Sequence, residues 1–329
     1  MIKIIVALAS FPLLLSATYR ERVKQVDLVQ NWSQDPNDQS FIDQCCLNEA
    51  RDAMLLKGTT LKVTDLKTEK DTDELTYIVV WNKPSFLKKE LTKFPLKKAI
   101  LYMWETPVLQ PDMYEESFLK QFKRIYTWDD DKVDNKRFYK FYFPVFQPMR
   151  SDLPAFDKRK LLTQISIKNL SQHPQELYSA QEKIIQYFQD KPAGEFEFYG
   201  SGWGPEKHYL GAPEDKHAVL QNYKFSVCFE NMHDVKGYIT EKIFDCFAVG
   251  TIPIYWGASN ISDYIPKDCF IDMRDFKNFE DVLTHIRSID AKTFDTYQQN
   301  IRTFLESDKA KLFSEDLFNV LFLESVRFP

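Results

Sequence analysis

YKFSVCFENMHDVKGYITEKIFDCFAVGTIPIYWG, residues 223–257, reads as strand, loop, helix and strand in immediate succession. The apolar run YKFSVCF (223–229) meets an acid and an amide, and the chain then bends at Gly237. Thr240 is a good N-cap for the helix that follows, and Ile243, Phe244 and Phe247 form its buried stripe. Gly250 stands where a C′ glycine belongs, and TIPIYWG (251–257) is a second apolar run. Glu241 and Lys242 occupy the first turn of this helix. A cation there faces the positive end of the macrodipole, at a cost of a few tenths to about 1 kcal/mol. Either solvent screens it, or something strongly negative stands in front of it. The helix starts beyond the carboxyl end of a strand, which is where open α/β sheets bind ligands. Its outward N–H groups suit a phosphate. Glu241 reads either as a first-turn acid complementing the dipole or as an acceptor for ribose hydroxyls. Asn231 and Tyr238 could hold a base or a phosphate from the loop.

The same alternation extends in both directions. Upstream, VDLV (26–29), TLKV (60–63), YIVVW (77–81), KAILYMW (98–104) and RIYTW (124–128) read as strands, with a helix at about 41–56. Around 143–160, FPVFQPMRSDLPAFDKRK carries three prolines and mixed charge and reads as a linker. Beyond it come the strand KLLTQISI (160–167), a helix at 174–190 and the strand EFEFYG (195–200), which ends in the glycine-rich turn GSGWG. From about 278 the tail is helical. Continuous apolar strands separated by helices predict parallel sheets covered on both faces. The expected architecture is α/β, with an N-terminal unit over residues 19–150 and a C-terminal unit with a helical tail over 151–329. A cleft lies between the two.

The chain has 329 residues, 44% of them hydrophobic and 28% charged, enough for two well-packed units. The formal net charge is −5 and lysine and arginine are spread along the chain, so no basic stripe points to nucleic acid. Five cysteines form neither a disulfide framework nor a CxxC, and five histidines give no HExxH. Residues 1–18 join Lys3 to the apolar run IIVALASFPLLLSA. This fits a secretory signal or anchor, the alternative being a buried first strand. The expected location is secretory or membrane-associated, Golgi-type in a eukaryote. Triplets at Asn31, Asn169 and Asn260 would then be glycosylation acceptors.

The stretch FENMHDVKGYITEKIFDCFAVGTIPIYWG, followed by YIPKDCFIDMRDF (264–276), closely resembles the signature of the α-1,3/4-fucosyltransferases, glycosyltransferase family 10. The resemblance implies a GT-B fold of two Rossmann-like domains. It also implies a GDP-fucose donor held by the C-terminal domain and an oligosaccharide or glycoconjugate acceptor held by the N-terminal one. Galactose-linked GlcNAc, at its 3-hydroxyl, is the implied acceptor. Carried over by position, the donor contacts fall on Asn231, Tyr238, Glu241 and Lys242, with Lys242 on the diphosphate and Glu241 on the ribose. Other transferases of GT-B type using a different nucleotide sugar, or a glycan-binding member with weakened turnover, are the alternatives.

An inverting transfer needs a carboxylate to accept the proton of the attacking hydroxyl. Glu105 directly follows an apolar strand, with Pro107 ending regular structure. A strand-end glutamate is ordinarily just solvated, but the family carries its proposed base in a W/L-E-x-P element at this place. Glu105 is therefore the expected base, with Glu115 and Glu116 as second choices. Asp129 and Asp131 in WDDDK spell a DxD pattern, but they lie in the acceptor half, and the family does not use that pattern for donor metal. No required metal is expected, although added Mn²⁺ could help. One departure stands out. Where the family commonly places an arginine against the donor phosphate, this chain reads YSAQ (178–181), which puts the uncharged Gln181 at that position. Lys168 or Lys183 would have to replace the missing charge, or donor affinity falls.

Overall fold

The computed structural model describes residues 25–29, 39–63, 76–82 and 99–326. The apolar segment 1–18 and Asn31 lie outside the described residues. The first sheet comprises β1 (Gln25–Val29), β2 (Thr60–Val63), β3 (Thr76–Trp81), β4 (Ala99–Met103), β5 (Arg124–Thr127) and β6 (Phe138–Lys140), in spatial order β2-β1-β3-β4-β5-β6. The second comprises β7 (Lys160–Ile165), β8 (Phe196–Tyr199), β9 (Tyr223–Phe229), β10 (Ile252–Trp256) and β11 (Ile271–Asp272), in order β11-β10-β9-β7-β8. Every strand pair in both sheets is parallel. Parallel strands are covered on both faces, so they read as unbroken apolar runs. All five residues of β4 are buried, as are six of the seven of β9.

The helices of the first unit are α1 (Phe41–Gln44), α2 (Asn48–Leu55) and α3 (Glu116–Leu119). The single helix expected at 41–56 is in fact two. Cys46 takes a positive φ of 58°, which ends α1, and α2 restarts after Leu47. The second unit carries α4 (Tyr178–Phe188), α5 (Lys216–Leu220), α6 (Glu241–Ala248), α7 (Ile261–Tyr264), α8 (Phe279–Ser288), α9 (Ala291–Leu305) and α10 (Glu315–Ser325). Helices α8 and α9 bury Val282, Leu283, Ile286 and Phe294 in the apolar cluster that also holds β7 and β9 side chains. The tail as a whole was expected to belong to this second unit. Helix α10 instead crosses back. Phe318 and Phe322 pack on Trp81 and Tyr102 of the first sheet, and the buried Asn319 accepts from Ala50 N (2.9 Å) while donating to Cys46 O (2.8 Å). The apolar face of the first sheet between β3 and β4 needs a cover, and these two phenylalanines supply it.

The strand order of the second sheet reverses between β7 and β9, with β8 and β10 on opposite sides of that pair. This is a topological switch point, where a crevice opens at the carboxyl ends of the strands.

Candidate active site

A cavity of about 430 Å³ opens at that switch point. Its wall is built from the end of β7 and the following loop (Gln164, Ser166, Asn169), from α4 (Tyr178, Gln181), from the end of β9 (Phe229, Asn231) and from α6 (Glu241, Lys242, Asp245). Leu109 reaches it from the first unit. The glycine-rich turn borders it through Gly200, whose φ of +131° and contact with the Ser166 carbonyl leave no space for a Cβ.

Helix α6 forms where the sequence places it. Thr240 has extended backbone and its Oγ1 accepts from Lys242 N (3.4 Å), while Ile243, Phe244, Cys246, Phe247 and Ala248 are buried. Each large apolar side chain among them contributes about 1.5–3 kcal/mol on burial. The question raised by Lys242 receives a first answer inside the protein. Glu230, the last acid before the loop, is fully buried. Its two oxygens accept from Thr240 N (2.9 Å), Thr240 Oγ1 (2.8 Å) and Lys242 Nζ (3.2 Å). The lysine thus has a carboxylate partner, and 26% of its side chain still faces the cavity. Burial alone lowers the Lys242 ammonium, but Glu230 and Glu241 outweigh it and hold its pKa above the ordinary lysine value. Burial likewise raises Glu241, but Lys242 and Lys216 overcome this and hold its pKa below the ordinary glutamate value. At neutral pH the cavity therefore carries a charged lysine beside an ionised glutamate.

Glu105 sits in the turn after β4, half-buried. Asn82, fully buried and at φ +63°, closes the end of β3, and its Oδ1 accepts from both Trp104 N and Glu105 N (2.8 Å each). Tyr114 donates its hydroxyl to Glu105 O (2.7 Å). The backbone of this glutamate is therefore held from two sides. Burial raises the Glu105 carboxyl; Lys242 opposes the shift and Glu241 adds to it, and the pKa stands above the ordinary glutamate value. Both residues of the α6 first turn thus act electrostatically on a carboxyl that the first sheet presents. Glu115 and Glu116, the second choices, are exposed; Glu116 faces Lys120 at 4.0 Å.

The remaining expectations divide. Asn231 lines the cavity and donates to Tyr238 Oη (3.3 Å). Tyr238, expected to face the donor, is 3% exposed and absent from the cavity wall. Its ring packs on Trp128 (4.7 Å) and Phe143 (5.8 Å) of the first unit, because the loop needs an apolar anchor there. Gln181 does line the cavity, nearly buried, but its Nε2 donates to Phe229 O (3.2 Å). Neither proposed substitute for its missing charge reaches the wall. Lys168 is drawn between Glu206 (3.6 Å) and Glu182 (3.9 Å) and lies over Trp203, and Lys183 points outward from α4. Among the described residues, the cations lining the cavity are Lys216 and Lys242.

The WDDDK turn joins the two units. Asp130 accepts from Lys140 Nζ (2.6 Å), Asn260 Nδ2 (2.9 Å) and Tyr264 Oη (2.8 Å), and Asp131 pairs with Lys236 (2.7 Å). Asn260 also accepts from Gly237 N (2.9 Å), so both ends of its amide are engaged in this cluster. Gly237, at φ +81°, lies against this cluster. A Cβ there would come within 2.7 Å of Asp130 Oδ1 and closer still to the Trp128 carbonyl. Gly237→Ala is expected to destabilise the chain by at least roughly 1–2 kcal/mol through the left-handed backbone alone. It should also loosen the 231–240 loop. Thermal unfolding reads the first effect and amide hydrogen exchange across the loop the second.

Sequence reasoning passed over Glu230, Asn82 and Asp130. Glu230 carried a signal, a lone acid closing an apolar strand, which is costly unless something pairs with it.

Comparison with known proteins agrees with this architecture. The family model described as glycosyltransferase family 10 (fucosyltransferase) C-term matches residues 158–302. An α-(1,3)-fucosyltransferase of Helicobacter pylori is 42% identical over 89 residues, covering 26% of this chain and 18% of that protein. The mouse 4-galactosyl-N-acetylglucosaminide 3-alpha-L-fucosyltransferase 9 is 34% identical over 101 residues, 29% of this chain and 26% of that protein. The chain thus matches only about a fifth to a quarter of the length of these curated relatives. Among solved structures, an α1,3-fucosyltransferase with GDP superposes with a TM-score of 0.56 at 17% identity, covering 94% of this chain and 92% of that one. An α-glucosyltransferase in complex with UDP and DNA superposes at 0.52 and 11% identity, covering 92% and 98%. The fold is GT-B, two Rossmann-like sheets with the cavity at the carboxyl ends of the second, and residues 158–302 match the C-terminal domain of glycosyltransferase family 10.

Proposed function

We propose that the chain is an inverting fucosyltransferase moving L-fucose from GDP-β-L-fucose to a glycan hydroxyl, O3 of GlcNAc in a galactose-containing acceptor. The diphosphate lies at the start of α6, where Lys242 and the first-turn N–H groups stabilise the leaving group. Glu241 accepts from the ribose. Glu105 takes the proton of the attacking hydroxyl as the bond to the diphosphate breaks. The observation that carries this is a cavity in the second sheet that Glu241 and Lys242 line and that the first unit reaches through Leu109, four residues beyond Glu105. A half-buried carboxyl held by the first sheet senses the charges of a Glu-Lys pair that lines a cavity in the second. The family 10 match over residues 158–302 supports the fucose donor, and the α1,3-fucosyltransferase solved with GDP-fucose, TM-score 0.51, supports a fold able to hold one. Transfer of labelled fucose from GDP-fucose to a glycan array tests the proposal, with UDP- and GDP-linked hexoses as competing donors. Preferential transfer from another nucleotide sugar would overturn it.

Gln181 favours one variant of this reading, a family member with weak donor affinity. An amide on Phe229 O brings no charge to the cavity. Gln181→Arg is expected to lower the donor KM several-fold, since hydrogen bonds to charged groups are about twice as strong as neutral ones. Steady-state kinetics with varied GDP-fucose measures it. An unchanged KM would mean that Lys216 and Lys242 already satisfy the diphosphate.

A further inference from the structure

Helix α6 lines the cavity with Glu241, Lys242, Asp245 and Cys246. Glu241 and Asp245 are one turn apart on the same face, separated by about 6 Å along the axis. Asp245 is 8% exposed, yet its carboxylate is under-used. Oδ1 accepts from His217 Nε2 (3.1 Å), and Oδ2 faces Lys216 Nζ at 3.7 Å, beyond hydrogen-bond distance. A carboxylate has about four acceptor positions, and here most are unfilled. A second acceptor on the same wall also lacks a donor. Gln164, 1% exposed, donates through Nε2 to Ser166 Oγ (2.9 Å) and Gln181 O (3.3 Å). The Gln181 carbonyl can only accept, which fixes the amide's orientation and leaves Oε1 without a partner.

The buried part of the cavity is therefore short of donors, and a ligand that fits it must bring N–H groups. If the diphosphate sits at the first turn of α6 and the ribose at Glu241, as proposed above and as this inference requires, the base lies one turn further along, beside Asp245. Uracil offers a single N–H flanked by carbonyls, which would set a carbonyl against the carboxylate. Adenine offers an amine beside a bare ring nitrogen. Guanine alone among the common bases offers two adjacent donors, N1–H and the 2-amino group. We propose that Asp245 reads that edge, one oxygen to each donor, with Lys216 behind it offsetting its charge and His217 holding Oδ1 in place. Asp245 is thus the residue that selects a guanine nucleotide.

Calorimetric titration of the whole chain with GDP, inosine diphosphate, xanthosine diphosphate and UDP tests this. Inosine lacks the 2-amino group, so the wild-type chain should bind its diphosphate roughly tenfold or more weakly than GDP, the effect of losing one hydrogen bond to a charged group. Asp245→Asn is isosteric. An amide presents a donor NH₂ on one side and an acceptor oxygen on the other, which match the C2 carbonyl and N1–H of xanthine. The variant should lose GDP affinity and gain xanthosine diphosphate affinity, shifting their ratio by roughly a hundredfold. If Asp245 were merely structural, Asp245→Asn would instead weaken all four nucleotides alike and leave their ratios unmoved. Equal binding of GDP and inosine diphosphate, or an unchanged ratio in Asp245→Asn, would overturn the assignment while sparing the donor site, whereas tightest binding of UDP would overturn both. Binding of none of the four would instead remove the donor reading beneath it.

Discussion

Replacing Glu105 by glutamine is expected to cut kcat by roughly 10²–10⁴, the usual contribution of a general base, while GDP binds as tightly as before. The asymmetry follows from where the residue stands. Glu105 belongs to the first sheet and does not line the cavity that would hold the nucleotide. It is, however, close enough to Lys242 and Glu241 for their charges to act on its carboxyl. Its backbone is fixed by Asn82 and Tyr114, contacts that glutamine retains. The substitution therefore removes a proton acceptor and little else, and stability should change little. The pH profile offers a second check. Burial raises the Glu105 pKa, so a base in this position is protonated, and idle, at a higher pH than an exposed glutamate. The acidic limb of kcat/KM should accordingly lie above the ordinary glutamate range in the wild-type chain and vanish in the variant. Glu115→Gln, altering an exposed acid, should change neither limb nor rate. A near-normal rate in Glu105→Gln, or an acidic limb that survives it, would assign the proton to another group.

What the sequence made legible, and what it did not, follows from the range of the interactions. Strands buried on both faces announce themselves as apolar runs, so β4 and β9 are readable residue by residue. Strand β6 is half-buried along its length and β11 is two residues long, so neither leaves a periodic trace. The N-cap Thr240 and the stripe behind it are local, and α6 lies where they place it. Glu230 and Lys242 are twelve residues apart on different elements, and the lysine's partner is visible only when strand and helix meet. Longer still is the reach from Asp130 to Asn260 and Tyr264. An acidic turn that spells a metal motif proves to be a clasp between the two units, and no spacing rule encodes that. The packing of Tyr238 is hidden for the same reason: its neighbours Trp128 and Phe143 are distant in sequence. The position of the cavity, by contrast, was foreseeable, because a helix that starts beyond the carboxyl end of an apolar strand marks where such sheets bind ligands.

Lys242→Met should act twice, and the two effects can be separated. The first is structural. Glu230 has no exposed surface, and its strongest compensating influence is the ammonium 3.2 Å away. Removing one member of a buried pair leaves an uncompensated charge, which costs roughly 3–5 kcal/mol. Thr240 continues to donate twice to the carboxylate, so the lower end of that range is expected. The sign of the pH dependence follows from linkage. Without Lys242, burial raises the folded-state pKa of Glu230 further above its unfolded value, so the folded chain binds the extra proton. Stability then falls as pH rises from the ordinary glutamate range up to that raised pKa. The deficit against wild type should be small in acid and full at neutral pH, as denaturant unfolding at a series of pH values would read. The second effect is on the ligand. A diphosphate at the head of α6 loses its cation, so donor KM rises and kcat falls together. Adding Glu230→Gln to Lys242→Met distinguishes the two, because an amide needs no counter-charge and keeps an acceptor for Thr240. The double variant should regain most of the stability and none of the donor affinity, a coupling that a double-mutant cycle measures directly. If stability and donor kinetics recover together, Lys242 serves only to neutralise Glu230, and the diphosphate must find its charge at Lys216.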